Sequence, residues 1–178
     1  MTRALALLAL RAAPAAAQDD PPSRPDLLSF ALGALPVAIS TADADLRVGP
    51  DKARLAIDGA PGRHAVNGRP GLATDVVEYT FSLPAPTRFD RFAVPLVKET
   101  PSPSQTFFRQ VEVLGASASP EGPYVPLGEA TLPQDAAPGT LAELTLTPDP
   151  PEVRWVRLRL QDGLDVQRER TWFEFSEI

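Results

Sequence analysis

Asp75 to Pro84 reads DVVEYTFSLP. Val77, Tyr79, Phe81 and Leu83 alternate with Glu78, Thr80 and Ser82. Successive side chains of an extended chain point to opposite faces, so a period of two makes this a half-buried antiparallel strand. The same reading extends outward from it. PAPT (84–87) is a Pro-rich turn and TRFDRFAVPL (87–96) the strand after it. RQVEVLGAS (109–117) sets Val111 and Val113 on one face. SASPEGPYVPLGEATL (117–132) turns at Pro120-Glu121-Gly122-Pro123 and then extends, and TLAELTLTP (140–148) alternates Leu and Thr. EVRWVRLRLQ (152–161) sets Val156, Leu158 and Leu160 against Arg157 and Arg159. TWFEFSEI (171–178) places Phe173, Phe175 and Glu177 on one face and Trp172, Glu174, Ser176 and Ile178 on the other.

Upstream, LLSFALGALPVAIS (27–40) is apolar, but Gly33 and Pro36 interrupt a helix, and it reads as a strand, a bend and a strand. No segment carries a long 3.6-residue period, and the chain has no internal repeat. About eight short strands at intervals of roughly ten residues predict an all-β sandwich or barrel.

The composition agrees. The chain has 178 residues, 43% of them hydrophobic, enough for one domain with a real core. Its 21 prolines are more than twice the usual share of about 5% and suit short strands joined by fixed turns. There is no cysteine, which excludes a disulfide scaffold, a thiolate metal site and a cysteine nucleophile. The net charge of −6, with arginines spread along strands, argues against a nucleic-acid partner.

The N-terminus has the order of an export signal: a basic MTR, an apolar ALALLAL, then the small residues APAAA before Gln18. Residues 1–17 are read as a signal peptide, 18–26 as a polar, Pro-rich linker, and 27–178 as the domain. The apolar run is too short to span a bilayer, so the mature chain is expected to have no transmembrane segment and to be periplasmic, envelope-associated or secreted. A frayed, Ala-rich start to a cytoplasmic protein is the alternative.

Five pieces occur in a telling order: AIDGAPGR, VEYTFSLPAPTRFDRFAV, FRQVEVLGASASPEGPYVPLGEATL, EVRWVRLRLQDG and FSEI. Together they resemble the discoidin, or F5/8 type C, family, which includes the family 32 carbohydrate-binding modules of bacteria. The resemblance covers residues 28–178. It implies an eight-stranded antiparallel jelly-roll β-sandwich and a non-catalytic role, usually glycan binding and sometimes binding of lipid head groups or proteins.

The resemblance also implies sites, several of them around RLAIDGAPGRHAVNGRPG (54–71). Members commonly hold a structural calcium at the Asp-Gly loop with the Glu of the closing Glu-Ile pair, here Asp58 and Glu177. Oxygen-rich loops with two carboxylates suit a hard cation. Ala60 stands where an acidic or amide residue is usual, and Arg63 brings a positive charge that would oppose the ion. The other reading of Asp58-Gly59 is a turn in which the Asp bonds nearby amides. For a sugar, the resemblance points to His64, to Lys98 where an Arg is usual, and to Gln105 where an Asn is usual. Lysine lacks the two-pronged contact of arginine, so solvated loop residues are the alternative.

The stretch KETPSPSQTFF (98–108) is a polar loop of the kind that carries binding on rigid scaffolds. Phe107 and Phe108 are consecutive, so one must turn from the core and could stack on a ligand. Tyr124 and Trp172 are candidates of the same kind, Trp172 more as core. Arg154, Arg157 and Arg159 form a basic stripe that either meets an anionic ligand or pairs with carboxylates on neighbouring strands. There is no nucleophile triad, no G-x-S-x-G and no phosphate loop. The resemblance and the export signal together imply a glycan or other envelope ligand as the expected partner, with a structural or protein-interaction module as the alternative.

Overall fold

In a computed structural model, the structure describes residues 25–41, 49–60, 63, 65–68, 76–96, 105–133, 136–137, 140–163, 172–175 and 177–178. Residues 1–17, read as a signal peptide, most of the 18–26 linker, His64 and Lys98 lie outside them.

The described chain is almost all β. In order come β1 (Leu35–Thr41), a short α1 (Pro50–Leu55), β2 (Val66–Gly68), β3 (Val77–Thr87), β4 (Ala93–Pro95), β5 (Gln105–Ala116), β6 (Val125–Thr131), β7 (Leu141–Glu143), β8 (Thr145–Leu146), β9 (Val153–Gly163) and β10 (Trp172–Phe175). The antiparallel array β1-β3-β9-β5-β6-β8 forms the large sheet. β5 also pairs through its first residues with β10, in parallel, and β10 pairs with β2. β4 and β7 form a separate two-stranded ribbon. β5 is thus the strand that belongs to both groups.

The alternation read from the sequence sets the core. Val77, Tyr79, Phe81 and Leu83 of β3 are buried, as are Val156, Leu158 and Leu160 of β9 and Val111 and Val113 of β5. Val66, Phe92, Val94 and Phe175, from the smaller elements, join the same cluster. This is the layered, antiparallel arrangement expected of a jelly-roll sandwich. Burial of so many apolar side chains, each contributing about 1.5–3 kcal/mol, is what offsets the cost of ordering the chain.

Two segments depart from their sequence readings, and a short helix stands among the strands. Phe30–Leu32 is a 3-10 turn rather than a strand: the Ser29 hydroxyl accepts from the Ala31 N–H, and Gly33 closes the turn at φ 95°. The predicted turn at 84–87 is the end of β3, which runs through Pro84 and Pro86 where pairing with β9 is interrupted between Ser82 and Thr87; proline is tolerated where the ladder needs no N–H. The short helix α1 begins on Pro50 with Asp51 in its first turn, both favourable at a helix start. Among the described residues no helix is long and apolar enough to cross a membrane.

On its outer face the large sheet is held by charge. Arg159 lies 3.0 Å from Glu78 and 3.4 Å from Glu112, its neighbours on β3 and β5. Gln161 donates to the other oxygen of Glu112 at 3.1 Å. Arg157 donates to the Thr80 hydroxyl at 3.2 Å and stacks on the Tyr124 ring, 3.9 Å from its centre. The basic stripe is therefore paired across the strands at Arg157 and Arg159.

Candidate functional site

Asp58 and Glu177 are brought together, and local chemistry explains how. Asp58 Oδ1 accepts the Ala60 N–H at 3.0 Å, a side-chain-closed turn. Gly59 takes φ 74°, a left-handed backbone that glycine adopts without strain. The Glu177 carboxylate accepts the Gly59 N–H. Next door, the Ile178 N–H donates to the Ala56 carbonyl at 3.1 Å, and the Phe30 N–H to the Ile57 carbonyl at 2.8 Å. The loop after α1 thereby ties Phe30 to Glu177 and Ile178. From below, the buried Tyr79 hydroxyl donates to the Ala65 carbonyl at 2.7 Å. The Ala65 N–H donates to the Phe175 carbonyl at 2.8 Å.

Glu177 is only 7% exposed. Burial pushes its carboxyl above the usual carboxylate range, the Gly59 N–H pulls it back, and the charges of Asp58 and Asp26 push it up further. Asp26 is raised too, mainly by burial, while it accepts the Leu28 N–H at 3.1 Å. Sequence reading missed Asp26, which falls in the linker-like stretch; no local pattern signals that it folds back beside Glu177. Asp26 and Glu177 line a cavity of about 370 Å³, walled mostly by apolar residues including Leu28, Phe89, Phe92 and Ile178.

Among the described residues, and with Arg63 in place, this donor set does not fit a calcium ion. Calcium takes six to eight oxygens held together. Here one Asp58 oxygen is closed on Ala60, the other faces Arg63 Nη1 at 3.4 Å, and Glu177 is engaged by Gly59. No group of three or more His, Asp or Glu stands in a ligating arrangement among the described residues.

The sugar-site candidates are dispersed. Gln105 and Phe107 lie on the first stretch of β5, opposite Trp172 and Glu174 of β10. Phe108 is fully buried. Tyr124 follows the far end of the same strand, and twelve residues of β5 span roughly 35–40 Å. Its hydroxyl donates to the Pro120 carbonyl at 2.6 Å and its ring lies against Arg157. Tyr124 is a clamp for the 119–124 turn, and the structure does not bring it to Gln105.

What does converge are strand ends. Gly68 pairs with Phe173, Trp172 pairs with Gln105, and Gly163 pairs with Phe108. The end of β2, the start of β5, the end of β9 and the start of β10 thus stand near one another, and the residues that join them, 69–75, 97–104 and 164–171, lie outside the described residues. A second depression, about 410 Å³, lies on the outer face beside Glu112 and Glu129. These two carboxylates are directly opposed on β5 and β6, but Glu112 is already engaged by Arg159 and Gln161.

No known family profile matches the chain, and no curated protein does. Solved structures do match. A fragment from Bacteroides thetaiotaomicron described as a chitobiase's aligns with a TM-score of 0.52 and 15% identity over 80% of this chain and 89% of its own. A Clostridium perfringens CBM32 module, in complex with GalNAc-β-1,3-galactose, aligns at 0.50 and 12% over 78% and 91%. The chain has a discoidin-like fold. The CBM32-1 and CBM32-2 domains of Clostridium perfringens ZmpB also align, at 0.50 and 17%, over 81% of this discoidin-like chain and 35% of theirs. At such identities the likeness is one of fold.

Proposed function

We propose that this discoidin-like domain is a non-catalytic binding module of an exported bacterial protein, recognising a carbohydrate or another cell-envelope ligand through the loops at one end of its sandwich. One observation carries the reading: the strand ends at Gly68, Gln105, Gly163 and Trp172 gather at one place. A rigid sheet end that gathers several loops is where such scaffolds bind. One module of the same fold binds GalNAc-β-1,3-galactose, and the sequence N-terminus supports export.

The experiment is a broad glycan array with the domain, followed by calorimetry on any hit and on its Lys98→Ala and Gln105→Ala variants. Binding to a defined sugar class, weakened by these variants with Tm unchanged, is the expected result. No binding to any sugar overturns the glycan reading. A protein partner is the second reading, favoured by the exposed Leu27, Phe30, Leu32, Leu35 and Val37 near the edge strand β1. Crosslinking in envelope extracts that returns no specific partner would count against it.

A further inference from the structure

The Asp-Gly loop joins the two ends of the domain through carboxylates, and a negative cluster of this kind needs a counter-charge. Asp58 and Asp26 both raise Glu177 electrostatically. The cation within reach is Arg63, whose Nη1 lies 3.4 Å from Asp58 Oδ2. Asp58 is well covered, its side chain 13% exposed, whereas the Arg63 side chain is 64% exposed and reaches in from the surface. One oxygen of Asp58 accepts the Ala60 N–H, one of Asp26 accepts the Leu28 N–H, and the Glu177 carboxylate takes the Gly59 N–H.

We propose that Arg63 is the loop's built-in cation, so that the Asp58-Gly59 turn and the closing Glu177-Ile178 end hold together without calcium. A guanidinium five residues from its carboxylate is always present at the same local concentration and cannot be chelated. It brings one positive charge rather than two and donates hydrogen bonds rather than accepting lone pairs, which matches a carboxylate whose other oxygen is closed on a backbone N–H. An incoming divalent cation would have to displace the guanidinium or sit beside it, and like charges repel. The proposal is independent of which ligand the domain binds.

The test is thermal unfolding of the full chain in EDTA, in millimolar Ca²⁺ and in millimolar Mg²⁺, with a parallel terbium titration read by sensitised emission. A ion that binds only the folded state must raise Tm. The wild type is expected to unfold at the same temperature in all three and to leave terbium dark. Arg63→Gln is expected to acquire a Ca²⁺-dependent rise in Tm, and Arg63→Gln combined with Asp58→Asn to lose it. Arg63→Lys, which keeps the charge, is expected to stay indifferent to calcium; should the Gln variant fail to fold, this variant and the wild-type terbium titration still decide. A Ca²⁺-dependent rise in the wild type, abolished by Asp58→Asn, would overturn the proposal. So would an Arg63→Gln variant that folds and remains indifferent to calcium, since the guanidinium would then not be what excludes the ion.

Discussion

Tyr79→Phe isolates one hydrogen bond on which the Asp-Gly loop rests. The Tyr79 ring is fully buried in β3, and its hydroxyl donates to the Ala65 carbonyl at 2.7 Å, with Ala65 itself fully buried. Burial pushes the phenol far above its usual range, so it stays a donor throughout the working pH range. Phenylalanine keeps the ring and its packing but leaves that carbonyl without this donor. Stranding a buried acceptor costs about 1–3 kcal/mol. For a chain of this size each kcal/mol moves Tm by about 2–4 °C, so a drop of roughly 2–12 °C is expected. Tyr124→Phe is the internal control. Its hydroxyl also donates to a carbonyl, that of Pro120 at 2.6 Å, but at a half-exposed site where water can take its place; a loss of about 0.5–1.5 kcal/mol is expected there. The assay is urea and thermal unfolding of wild type and both variants, with an unchanged denaturant slope confirming that only stability moved. A Tyr79→Phe loss no larger than that of Tyr124→Phe would refute the view that this bond anchors the loop to the core.

Two further outcomes follow from the core and from the acidic cluster. A Cβ at Gly115 would come 2.5 Å from Val153 Cγ1 and 2.8 Å from Leu127 Cδ1, both on buried side chains; Gly115→Ala should cost about 1–3 kcal/mol by overpacking, and an unchanged unfolding midpoint would show that β6 and β9 yield freely. Asp26 and Glu177 both have raised folded-state pKa values. Their protonated forms therefore favour the folded state, and the stability they contribute is fully present below their ordinary values of 3.8 and 4.5 and is lost as pH rises through the raised ones. Glu177→Gln should accordingly gain stability relative to wild type as pH rises across that window, and a constant Tm difference from pH 4 to pH 8 would contradict the assignment.

The strands were legible wherever one face meets the core and the other meets water. DVVEYTFSLP and EVRWVRLRLQ each show an apolar set at a spacing of two, and the structure buries every residue of those sets, with Thr80 and Val153 besides. Short-range signals were weaker where proline served two ends: Pro84 and Pro86 read as a turn yet continue β3, and Pro50 opens a helix too short to show a period. At the candidate site, the Asp58-Glu177 pairing came from the resemblance and the structure brings the two together. Asp26 was invisible because its neighbour is 151 positions away in the chain and nothing local marks the contact. Tyr124 looked like a ligand-stacking aromatic because sequence gives exposure but not which end of a strand a turn occupies.

β5, shared between the two groups of strands, also has a consequence in time. Apart from the hairpin to β6, its partners lie far along the chain: Val111 meets Leu160, and Gln105 meets Trp172. β9, its neighbour, and β3, the next strand beyond β9, are as far apart, with Val77 opposite Leu160. Little of this sandwich can form early from neighbours, and the closing of long loops must precede any reward. Such a topology places folding in the range of milliseconds to seconds. Until those distant pairings close, the apolar faces of β3, β5 and β9 have little to cover them, and the contacts of Ile178 and Glu177 with the Asp58 loop wait on residues more than a hundred positions away.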